Sequence, residues 1–330
     1  MKICIFGAGA VGGHIAAKLA AGGHDVSVIA RGAHLEAMRD KGITLIHGDR
    51  TIRGRVRALP SVSGLGLQDF VFVTLKANAL GDFAAVAAPL LGPESGVVFG
   101  QNGIPWWYGI GLAPSRPRPP DLSKLDPGGR LQKLLRPERI IGGVVYSANE
   151  VQEPGVIVNR VPGNNMIVVG RADDAQSEAV LSLRNLLEQN DIASPQTADI
   201  RTSVWHKIVQ AFGAGALCTL TEAAIATVRG NPSLAKLAAR LADEGRAIAR
   251  AHGVDPDAAP RRPSGAQTSG LIAHKPSMLQ DYERNRPMEV EAQLIATLGF
   301  ARVANVAVPT LETIVPLVAF KAAAKGLYAD

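Results

Sequence analysis

The first half of the chain alternates short apolar runs with stretches in which apolar residues recur at helical spacing. The runs are rich in β-branched and aromatic side chains, which is typical of strands buried in a parallel sheet. They occupy residues 2–6, 26–29, 70–75 and 96–99. Helical spacing covers residues 14–21 and 82–91, as between Ile15 and Leu19. An alternation of strand and helix predicts an α/β domain with a doubly wound parallel sheet.

The pattern changes along the rest of the chain. Residues 51–59 alternate charged and apolar side chains and are predicted to form one half-exposed strand. Further strands are predicted at residues 140–145, 156–158 and 166–169. From about Asp199 onward only helical patterns remain, and they cover residues 202–225, 233–252, 288–303 and 310–324. The sequence therefore predicts two domains, an α/β domain at residues 1–196 and an all-helical domain at residues 197–330.

Two proline-rich segments interrupt these patterns, because proline cannot continue a helix. Residues 113–121 are also basic, and they are predicted to form a surface loop or a lid, with a simple insertion as the plainer alternative. Residues 254–265 are predicted to form a long loop inside the helical domain.

A glycine motif lies between the first predicted strand and the first predicted helix. Residues 7–12 read GAGAVG, which fits the spacing GxGxxG. The first glycine permits a tight turn, the second lets the backbone approach a pyrophosphate, and the helix N-terminus offers its N–H groups to the anion. This context predicts a Rossmann-like dinucleotide site; the alternative is a glycine-rich turn that binds nothing. The predicted cofactor-binding residues are Gly7, Ala8, Gly9, Ala10, Val11 and Gly12.

The end of the second predicted strand indicates which dinucleotide this site prefers. A fold that prefers NAD places Asp or Glu about 20 residues beyond the glycines, where it binds the ribose 2′-hydroxyl. Ala30 and Arg31 occupy this place. A guanidinium can bind a 2′-phosphate through two hydrogen bonds, so the sequence predicts NADP(H). The alternative is a solvated arginine in a turn.

Two polar residues, Lys76 and Asn102, follow the third and fourth predicted strands. Ligands of open α/β sheets bind outside the carboxyl ends of the strands, so both residues are expected to border one crevice with Gly7 and Arg31. A solvated loop lysine explains Lys76 equally well. For Asn102, which precedes Gly103, a purely conformational Asn-Gly turn is the alternative.

Composition narrows the class of protein without indicating an activity. The 330 residues are 47% hydrophobic and 19% charged, which is an ordinary globular composition. The net charge of +6, from 35 basic against 29 acidic residues, suits a phosphate-bearing small molecule as well as nucleic acid. No basic helix, zinc spacing or RNP-like strand accompanies this charge, so no nucleic-acid partner is expected.

The positions of the two cysteines and the lengths of the apolar runs indicate the compartment in which the protein is expected. Cys4 and Cys218 are far apart, and neither lies in a CxxC motif or beside a histidine, so neither a disulfide nor a metal site is expected. The first residues resemble a secretory signal, but glycines interrupt the apolar run. No segment approaches the roughly 18 unbroken apolar residues of a membrane span, so a cytoplasmic protein is predicted.

Six motifs together resemble the ketopantoate reductase (2-dehydropantoate 2-reductase) family, and the resemblance covers nearly the whole chain. They are GAGAVGG at the start, VTLKAN around Lys76, QNGIPWW around Asn102, RIIGGVVYSANEVQEPGVI in the middle, DIRTSVWHK around Lys207 and HKPSMLQDYERNRPMEVEA near the end. The resemblance implies a Rossmann domain followed by a helical domain, with a 2-oxo acid reduced by NADPH in the cleft between them. In the namesake reaction the product is pantoate, for pantothenate biosynthesis. A homodimer through the helical domain is also plausible from the family.

Lys207 falls where the family has its catalytic lysine. Delivery of hydride to a ketone builds negative charge on the carbonyl oxygen, and a positioned ammonium can stabilise that charge and donate the proton. Without the resemblance, an exposed helix lysine would be the plainer explanation. The neighbouring His206 is an alternative acid, but it points about 100° away from Lys207 on a helix, which favours packing or surface roles for it.

The resemblance also assigns binding roles to Asn102, Ser277 and Glu289. Ser277 matches a serine that contacts the substrate carboxylate, and Glu289 matches a glutamate that orients the substrate hydroxyl and the cofactor ribose region. Asn102 is expected to contact both substrate and cofactor. The alternatives are a helix cap for Ser277, because residues 277–280 form a capping box, and a solvated helix-start glutamate for Glu289.

The sequence departs from the family at Ala211 and Gly215, where ketopantoate reductases usually carry asparagines that bind substrate oxygens. Spacings of four and eight residues keep both positions near the Lys207 face of a helix. Loss of two polar partners can change discrimination between polar substrates strongly, so a larger or more apolar 2-oxo acid is an open alternative. A regulatory module that binds NADP without turnover is a second alternative, against which the presence of Lys207, Ser277 and Glu289 weighs.

Overall fold

The computed structural model describes residues 1–260 and 275–329, and within this part the chain divides into two units. The first unit contains Met1–Gln101 and Gly129–Ile200. The second unit contains Asn102–Gly128, Arg201–Ala259 and residues 275–329. Residues 102–128 thus group with the helical part of the chain, although they precede strands of the first unit. The division into domains at residues 196 and 197 stays a prediction.

The first unit contains eleven strands in its described residues. They are β1 (Lys2–Phe6), β2 (Asp25–Ile29), β3 (Ile43–His47), β4 (Arg50–Gly54), β5 (Arg57–Leu59), β6 (Gln68–Val73), β7 (Leu91–Phe99), β8 (Ile140–Val145), β9 (Asn149–Glu153), β10 (Val156–Asn159) and β11 (Ile167–Arg171). Seven form a sheet in the order β11-β8-β7-β6-β1-β2-β5, parallel except for β11. The prediction of an α/β unit on a parallel sheet is confirmed.

A second sheet was not predicted from the pattern. Its order is β4-β3-β10-β9, with β3 and β10 parallel and the outer pairs antiparallel. The single strand expected at residues 51–59 is therefore wrong, because β4 belongs to this sheet and β5 to the larger one. Gly54 ends β4 where a Cβ would lie 2.6 Å from Ala20, so the strand packs closely on the first helix and the chain then changes sheets.

Five α-helices lie within the described residues of the first unit. They are α1 (Ala10–Ala21), α2 (Gly32–Lys41), α3 (Leu80–Val86), α4 (Arg130–Leu134) and α5 (Glu178–Gln189). The helix expected at residues 82–91 is shorter than predicted, because Pro89 follows in a 3₁₀ turn at Ala88–Leu90 and β7 begins at Leu91. Helix α1 is almost entirely buried and lies between the two sheets, where burial lowers the pKa of His14 to about 3.

The second unit is helical in its described residues. Its helices are α6 (Ile200–Thr221), α7 (Ile225–Gly230), α8 (Pro232–Ala251), α9 (Ser277–Glu283), α10 (Ala296–Val303) and α11 (Pro309–Ala324). The prediction of a helical C-terminal domain is confirmed. A π-helical turn at Glu291–Ile295 precedes α10. The helix expected at residues 202–225 corresponds to α6, which ends four residues early at Thr221, and α7 begins only at Ile225.

The loop expected at residues 254–265 is described as far as Pro260 and contains a short 3₁₀ turn at Pro256–Ala258; the rest lies outside the described residues. The segment at residues 113–121 contains no helix or strand, and Pro119 and Pro120 lie beside Gly109 and Gly299 of the same unit. No helix among the described residues has the length and apolar character that a bilayer crossing requires.

Candidate active site

The glycine motif forms the turn between β1 and α1. Gly7 has a φ of +104°, a conformation that L side chains rarely adopt. A Cβ on Gly12 would lie 2.4 Å from the Gly7 carbonyl oxygen and 2.4 Å from Thr74 Oγ1, so only glycine fits there. A Cβ on Gly9, by contrast, would meet no atom within 4 Å. The turn is closed towards the sheet and open on its other side, as a cradle for a dinucleotide pyrophosphate must be.

Two side chains hold this turn in place. Thr74 Oγ1, just after β6, donates a hydrogen bond of 2.7 Å to the Gly7 carbonyl oxygen. His34 Nε2 donates to the Ala8 carbonyl oxygen at 2.7 Å, and its Nδ1 accepts from the Gly155 N–H at 2.9 Å. These partners assign the imidazole to the tautomer protonated at Nε2. The carbonyl oxygens of Gly7 and Ala8 are thus bonded within the protein. The N–H groups of Gly7 and Ala8 donate to the Ile29 carbonyl oxygen, and the Gly9 N–H donates to the Gly7 carbonyl oxygen. The N–H groups suited to a ligand are therefore those of the first turn of α1, which begins at Ala10.

Arg31 and Lys76 also belong to the first unit. Arg31 precedes α2, its side chain is 81% exposed, and its Nη2 lies 3.2 Å from Asp82 Oδ2. Lys76 lies three residues beyond β6 and is partly buried. Gln101 Nε2 donates to the carbonyl oxygens of Val73 and Leu75, and so it holds the segment that leads to Lys76. Because Asn102 belongs to the second unit, its sharing of a crevice with Gly7, Arg31 and Lys76 stays a prediction.

The segment that carries Asn102 is anchored by a buried arginine. Arg201, in the first turns of α6, is fully buried, and its guanidinium donates to the carbonyl oxygens of Tyr108 and Ile110 at 2.8 to 3.0 Å. Trp205 Nε1 donates to the Tyr108 hydroxyl at 2.8 Å. The Tyr108 ring also packs edge-on against Phe300 of α10. These bonds fix the residues after Asn102 on the helices.

Asn102 and Gly103 form a turn that contacts the π-helical turn before α10. Gly103 has a φ of +81°, and a Cβ there would lie 2.4 Å from the Ala292 carbonyl oxygen. The Ile104 N–H donates to this same oxygen at 2.7 Å. The conformational role that was the alternative for the Asn-Gly pair is therefore present, and the turn also places Asn102 Nδ2 3.4 Å from Glu289 Oε2.

Glu289 and Lys207 interact within the second unit. The Glu289 side chain is buried, with 7% of its surface exposed, and its Oε2 also accepts from Gln293 Nε2 at 3.3 Å. Burial lowers the pKa of the Lys207 amine from its ordinary value to about 8, and the attraction of the Glu289 carboxylate opposes this fall. An amine with this pKa exchanges protons near neutral pH, which suits a general acid.

His206 is bound away from this pair. Its Nδ1 donates to the Pro256 carbonyl oxygen at 2.9 Å, and its Nε2 accepts from Gln210 at 2.8 Å. Nδ1 therefore holds α6 against the turn after α8, and Nε2 is occupied by a neighbour one turn along α6 itself. This arrangement agrees with the packing role expected from the helix geometry.

Ser277 shares no hydrogen bond with Lys207, Glu289 or Asn102 among the described contacts. Ser277 is exposed and is the first residue of α9; its hydroxyl makes no hydrogen bond to any described residue, and the helix has no side-chain cap. The capping box considered for residues 277–280 is thus absent, since Gln280 Nε2 donates to the Lys275 carbonyl oxygen instead. On α6, Ala211 is exposed, whereas Gly215 is buried and a Cβ on it would meet no atom within 4 Å.

A glycine cradle in an α/β unit and a Lys207–Glu289 pair in a helical unit define a nucleotide-dependent oxidoreductase. Residues 3–108 match the family model described as ketopantoate reductase PanE/ApbA, and residues 199–322 match the model of its C-terminal part. The chain belongs to the ketopantoate reductase family.

Individual relatives support this membership. The chain is 39% identical to a 2-dehydropantoate 2-reductase of Mesorhizobium japonicum, over 99% of this chain and all of the relative. A crystal structure of a putative ketopantoate reductase from Ralstonia solanacearum MolK2 is 30% identical, covers 99% of both chains and has a TM-score of 0.84. The ternary structure of D-mandelate dehydrogenase with NADH and anilino(oxo)acetate, at 19% identity, covers 99% of this chain and all of that one with a TM-score of 0.81, and it shows likeness of fold alone.

Four residues that support the site did not emerge from the sequence, namely Thr74, His34, Arg201 and Gln293. Thr74, His34 and Arg201 act through partners far away along the chain. The only local signal belongs to Gln293, which follows Glu289 by four residues and so lies on the same helix face. Among the described residues, no group of three or more His, Cys, Asp and Glu side chains could hold a metal ion.

The interaction between Lys207 and Glu289 predicts that the pKa of Lys207 depends on the Glu289 carboxylate. Glu289→Gln removes the attraction that opposes burial, so we expect the pKa of Lys207 to fall below about 8. The titration of the Lys207 ¹³Cε resonance in lysine-labelled protein measures it. Glu291→Gln is the matched control, because Glu291 lies two residues further on and accepts from the Tyr328 hydroxyl instead. An unchanged or raised pKa in Glu289→Gln would contradict the pairing.

Proposed function

We propose that this chain reduces a 2-oxo acid with NADPH, and that the substrate is 2-dehydropantoate (ketopantoate), which becomes pantoate in pantothenate biosynthesis. The observation that carries this proposal is Lys207, whose amine has a pKa of about 8 and faces the charge of Glu289, in a chain of the ketopantoate reductase family. The near-neutral pKa also argues against a purely regulatory module, which needs no tuned acid.

Lys207 is the proposed proton donor. NADPH supplies the hydride when it is bound. Negative charge then develops on the substrate carbonyl oxygen, and the Lys207 ammonium stabilises that charge and transfers a proton to the same atom. Glu289 supports this role because its carboxylate favours the charged form of the amine before transfer.

Three polar side chains are proposed to bind the rest of the substrate. The amide nitrogen of Asn102 donates to Glu289, and its carbonyl oxygen is proposed to accept from a substrate or cofactor hydroxyl. The exposed hydroxyl of Ser277 is suited to a substrate carboxylate. Glu289 itself is proposed to orient the substrate hydroxyl and the cofactor ribose region.

The first unit is proposed to bind NADP(H). The open side of the turn at Gly9 accommodates the pyrophosphate, and the first turn of α1, from Ala10 onward, offers backbone N–H groups. Arg31 supplies a guanidinium where a fold that prefers NAD has an acid. Lys76 adds a second cation beyond the end of β6.

A second candidate substrate, a larger or more apolar 2-oxo acid, is favoured by α6. Ala211 and Gly215 stand one and two turns beyond Lys207 and offer no side-chain hydrogen bond. The space around the missing Cβ of Gly215 is open to 4 Å. A polar substrate would lack partners there, whereas an apolar group could occupy the space.

Steady-state NADPH oxidation with ketopantoate and a panel of larger 2-oxo acids tests the reaction and separates the two substrates. We expect kcat/KM for ketopantoate above about 10⁴ M⁻¹s⁻¹, an ordinary value for an enzyme on its own substrate. A much lower value, with a larger 2-oxo acid preferred, would assign the second candidate. The absence of turnover with every 2-oxo acid would contradict the reaction itself.

In the same assay, Lys207→Ala should lower kcat/KM about 100-fold or more, the usual contribution of a general acid. Because the donor must be protonated, activity of the native chain should fall above about pH 8, tenfold per pH unit. His206→Ala is the neighbouring control and should retain most activity. If His206→Ala abolishes turnover while Lys207→Ala does not, the proton donor has been assigned wrongly.

Cofactor preference is predicted to depend on Arg31. The native chain should bind NADPH far more tightly than NADH, and Arg31→Ala should remove most of this difference, about 1.5 to 3 kcal/mol for a hydrogen bond to a charged group. Calorimetric titration of both cofactors measures it. Arg39→Ala is the control; Arg39 lies within α2 and is bonded to Glu36, so its loss should leave the preference intact. Equal affinities in the native chain would exclude the proposed role.

The helical unit is also proposed to pair with a second copy of this chain. Helix α11 exposes Pro316, Leu317 and Phe320, and Phe320 is 76% exposed, an apolar face that a partner would cover. Sedimentation of the native protein should give twice the chain mass of 34.6 kDa. Phe320→Glu should lower the measured mass to that of a single chain. Thr313→Glu, exposed on the same helix but bonded locally to the Pro309 carbonyl oxygen, is the control. A single-chain mass for the native protein would contradict this.

A cytoplasmic location is proposed as well. Cys4 and Cys218 are both free and buried, and burial raises the pKa of each thiol, to about 12 and about 11. Neither cysteine forms a disulfide, which is compatible with a reducing compartment.

A further inference from the structure

Two amide groups donate to one oxygen of the Glu289 carboxylate. Gln293 Nε2 lies 3.3 Å from Glu289 Oε2, and Asn102 Nδ2 lies 3.4 Å from the same atom. Glu289 is 7% exposed, so water can satisfy little of its charge. A buried carboxylate needs such donors to stay ionised, because burial otherwise favours its neutral form.

Gln293 lies on a turn that the protein holds in place from two sides. The turn is π-helical, from Glu291 to Ile295, and the carbonyl oxygen of Ala292 accepts from the Ile104 N–H at 2.7 Å. A Cβ on Gly103 would lie 2.8 Å from the Gln293 backbone nitrogen, so the loop is in direct contact with this turn. On the other side, the Tyr328 hydroxyl donates to Glu291 Oε2 at 2.8 Å. π-Helical turns occur often at functional sites, where the extra residue changes the direction of a side chain.

We propose that Gln293 is a positioning residue, whose amide keeps the Glu289 carboxylate ionised and fixes its rotation towards Lys207. The proposal rests on the function proposed above, and it goes beyond it because it explains how the glutamate retains its charge. Gln293 acts on the substrate only through Glu289.

The hydrogen bond from Gln293 affects the charges of both Glu289 and Lys207. Loss of the Gln293 donor disfavours the ionised carboxylate, so the pKa of Glu289 rises. A Glu289 that is neutral for part of the time attracts the Lys207 ammonium less, and Lys207 then holds its proton less firmly. Activity should therefore fall through kcat, and its acidic limit should move to higher pH, without a matching rise in KM for NADPH.

The experiment compares Gln293→Met with Tyr328→Phe. Methionine has the length of glutamine but no donor, so this change removes only the amide. Tyr328→Phe removes a hydrogen bond to the same π-helical turn without touching Glu289, and it serves as the matched control for loosening of the turn. Gln293→Asn, whose amide is one methylene short of Glu289, is the second variant if the methionine variant folds poorly.

Two readouts are taken from each variant. In protein labelled with ¹³C-glutamate, the Glu289 carboxyl resonance gives its pKa, which should rise by about one unit in Gln293→Met and stay unchanged in Tyr328→Phe. In the NADPH oxidation assay, kcat should fall about tenfold in Gln293→Met, the fold-change that corresponds to about 1.4 kcal/mol, and the acid limb of the pH profile should move upward with it.

The outcomes separate the positioning role from the proposed function. A rise in the Glu289 pKa together with a lower kcat supports the proposal. A rise in this pKa in a protein that reduces no 2-oxo acid supports the positioning role and overturns the function. An unchanged Glu289 pKa in both Gln293 variants, or an equal effect in Tyr328→Phe, overturns the positioning role whatever the activity.

Discussion

The buried guanidinium of Arg201 ties the segment after Asn102 to the helices of its unit. A charge removed from water costs several kcal/mol unless its donors are satisfied, and the carbonyl oxygens of Tyr108 and Ile110 satisfy it here. If the segment from Asn102 to Ile110 moved away from α6, the buried Arg201 guanidinium would lose its hydrogen-bond acceptors. Because Ile104 in the same segment bonds to Ala292, the constraint extends to the π-helical turn and to Glu289. The electrostatic pairing with Lys207 depends on this chain of contacts.

Hydrophobic periodicity predicted the strands and helices whose burial pattern stays the same along their whole length. Strands β1 and β8 have the bounds expected for them, and α8 and α11 differ from theirs by one residue, because buried strands read as continuous apolar runs and these helices begin at a proline. The expectation failed where the environment changes within a few residues. Residues 51–59 alternate charged and apolar side chains and predicted one strand, yet β4 and β5 belong to different sheets, and no residue pattern between them indicates that change. Helix α2 was missed because only Leu35 and Met38 are buried along its ten residues.

For the site, too, the sequence predicted which residues take part but not the properties that depend on tertiary contacts. Residue type and motif were enough to single out Lys207, Glu289 and Asn102, and the fold brings these three into one unit. The lowered pKa of Lys207 could not be predicted from the sequence. The shift reflects the balance between the cost of burying the charged amine and its attraction to Glu289, and both depend on distances that exist only in the folded chain. Thr74 and His34 were equally inaccessible: each is an ordinary polar residue until tertiary structure places it against a carbonyl of the glycine turn.

The anchoring of Asn102–Gly128 to the helices has an optical consequence. The chain contains three tryptophans, and Trp106, Trp107 and Trp205 all belong to the second unit. All three are buried, two of them in the segment that groups with the helices although it lies between strands of the sheet in sequence. Intrinsic fluorescence excited at the red edge of the indole band therefore originates in one half of the protein only. The α/β unit contributes no indole to that emission, so a loss of its sheet and a loss of the helical packing carry different spectroscopic signatures in the same sample.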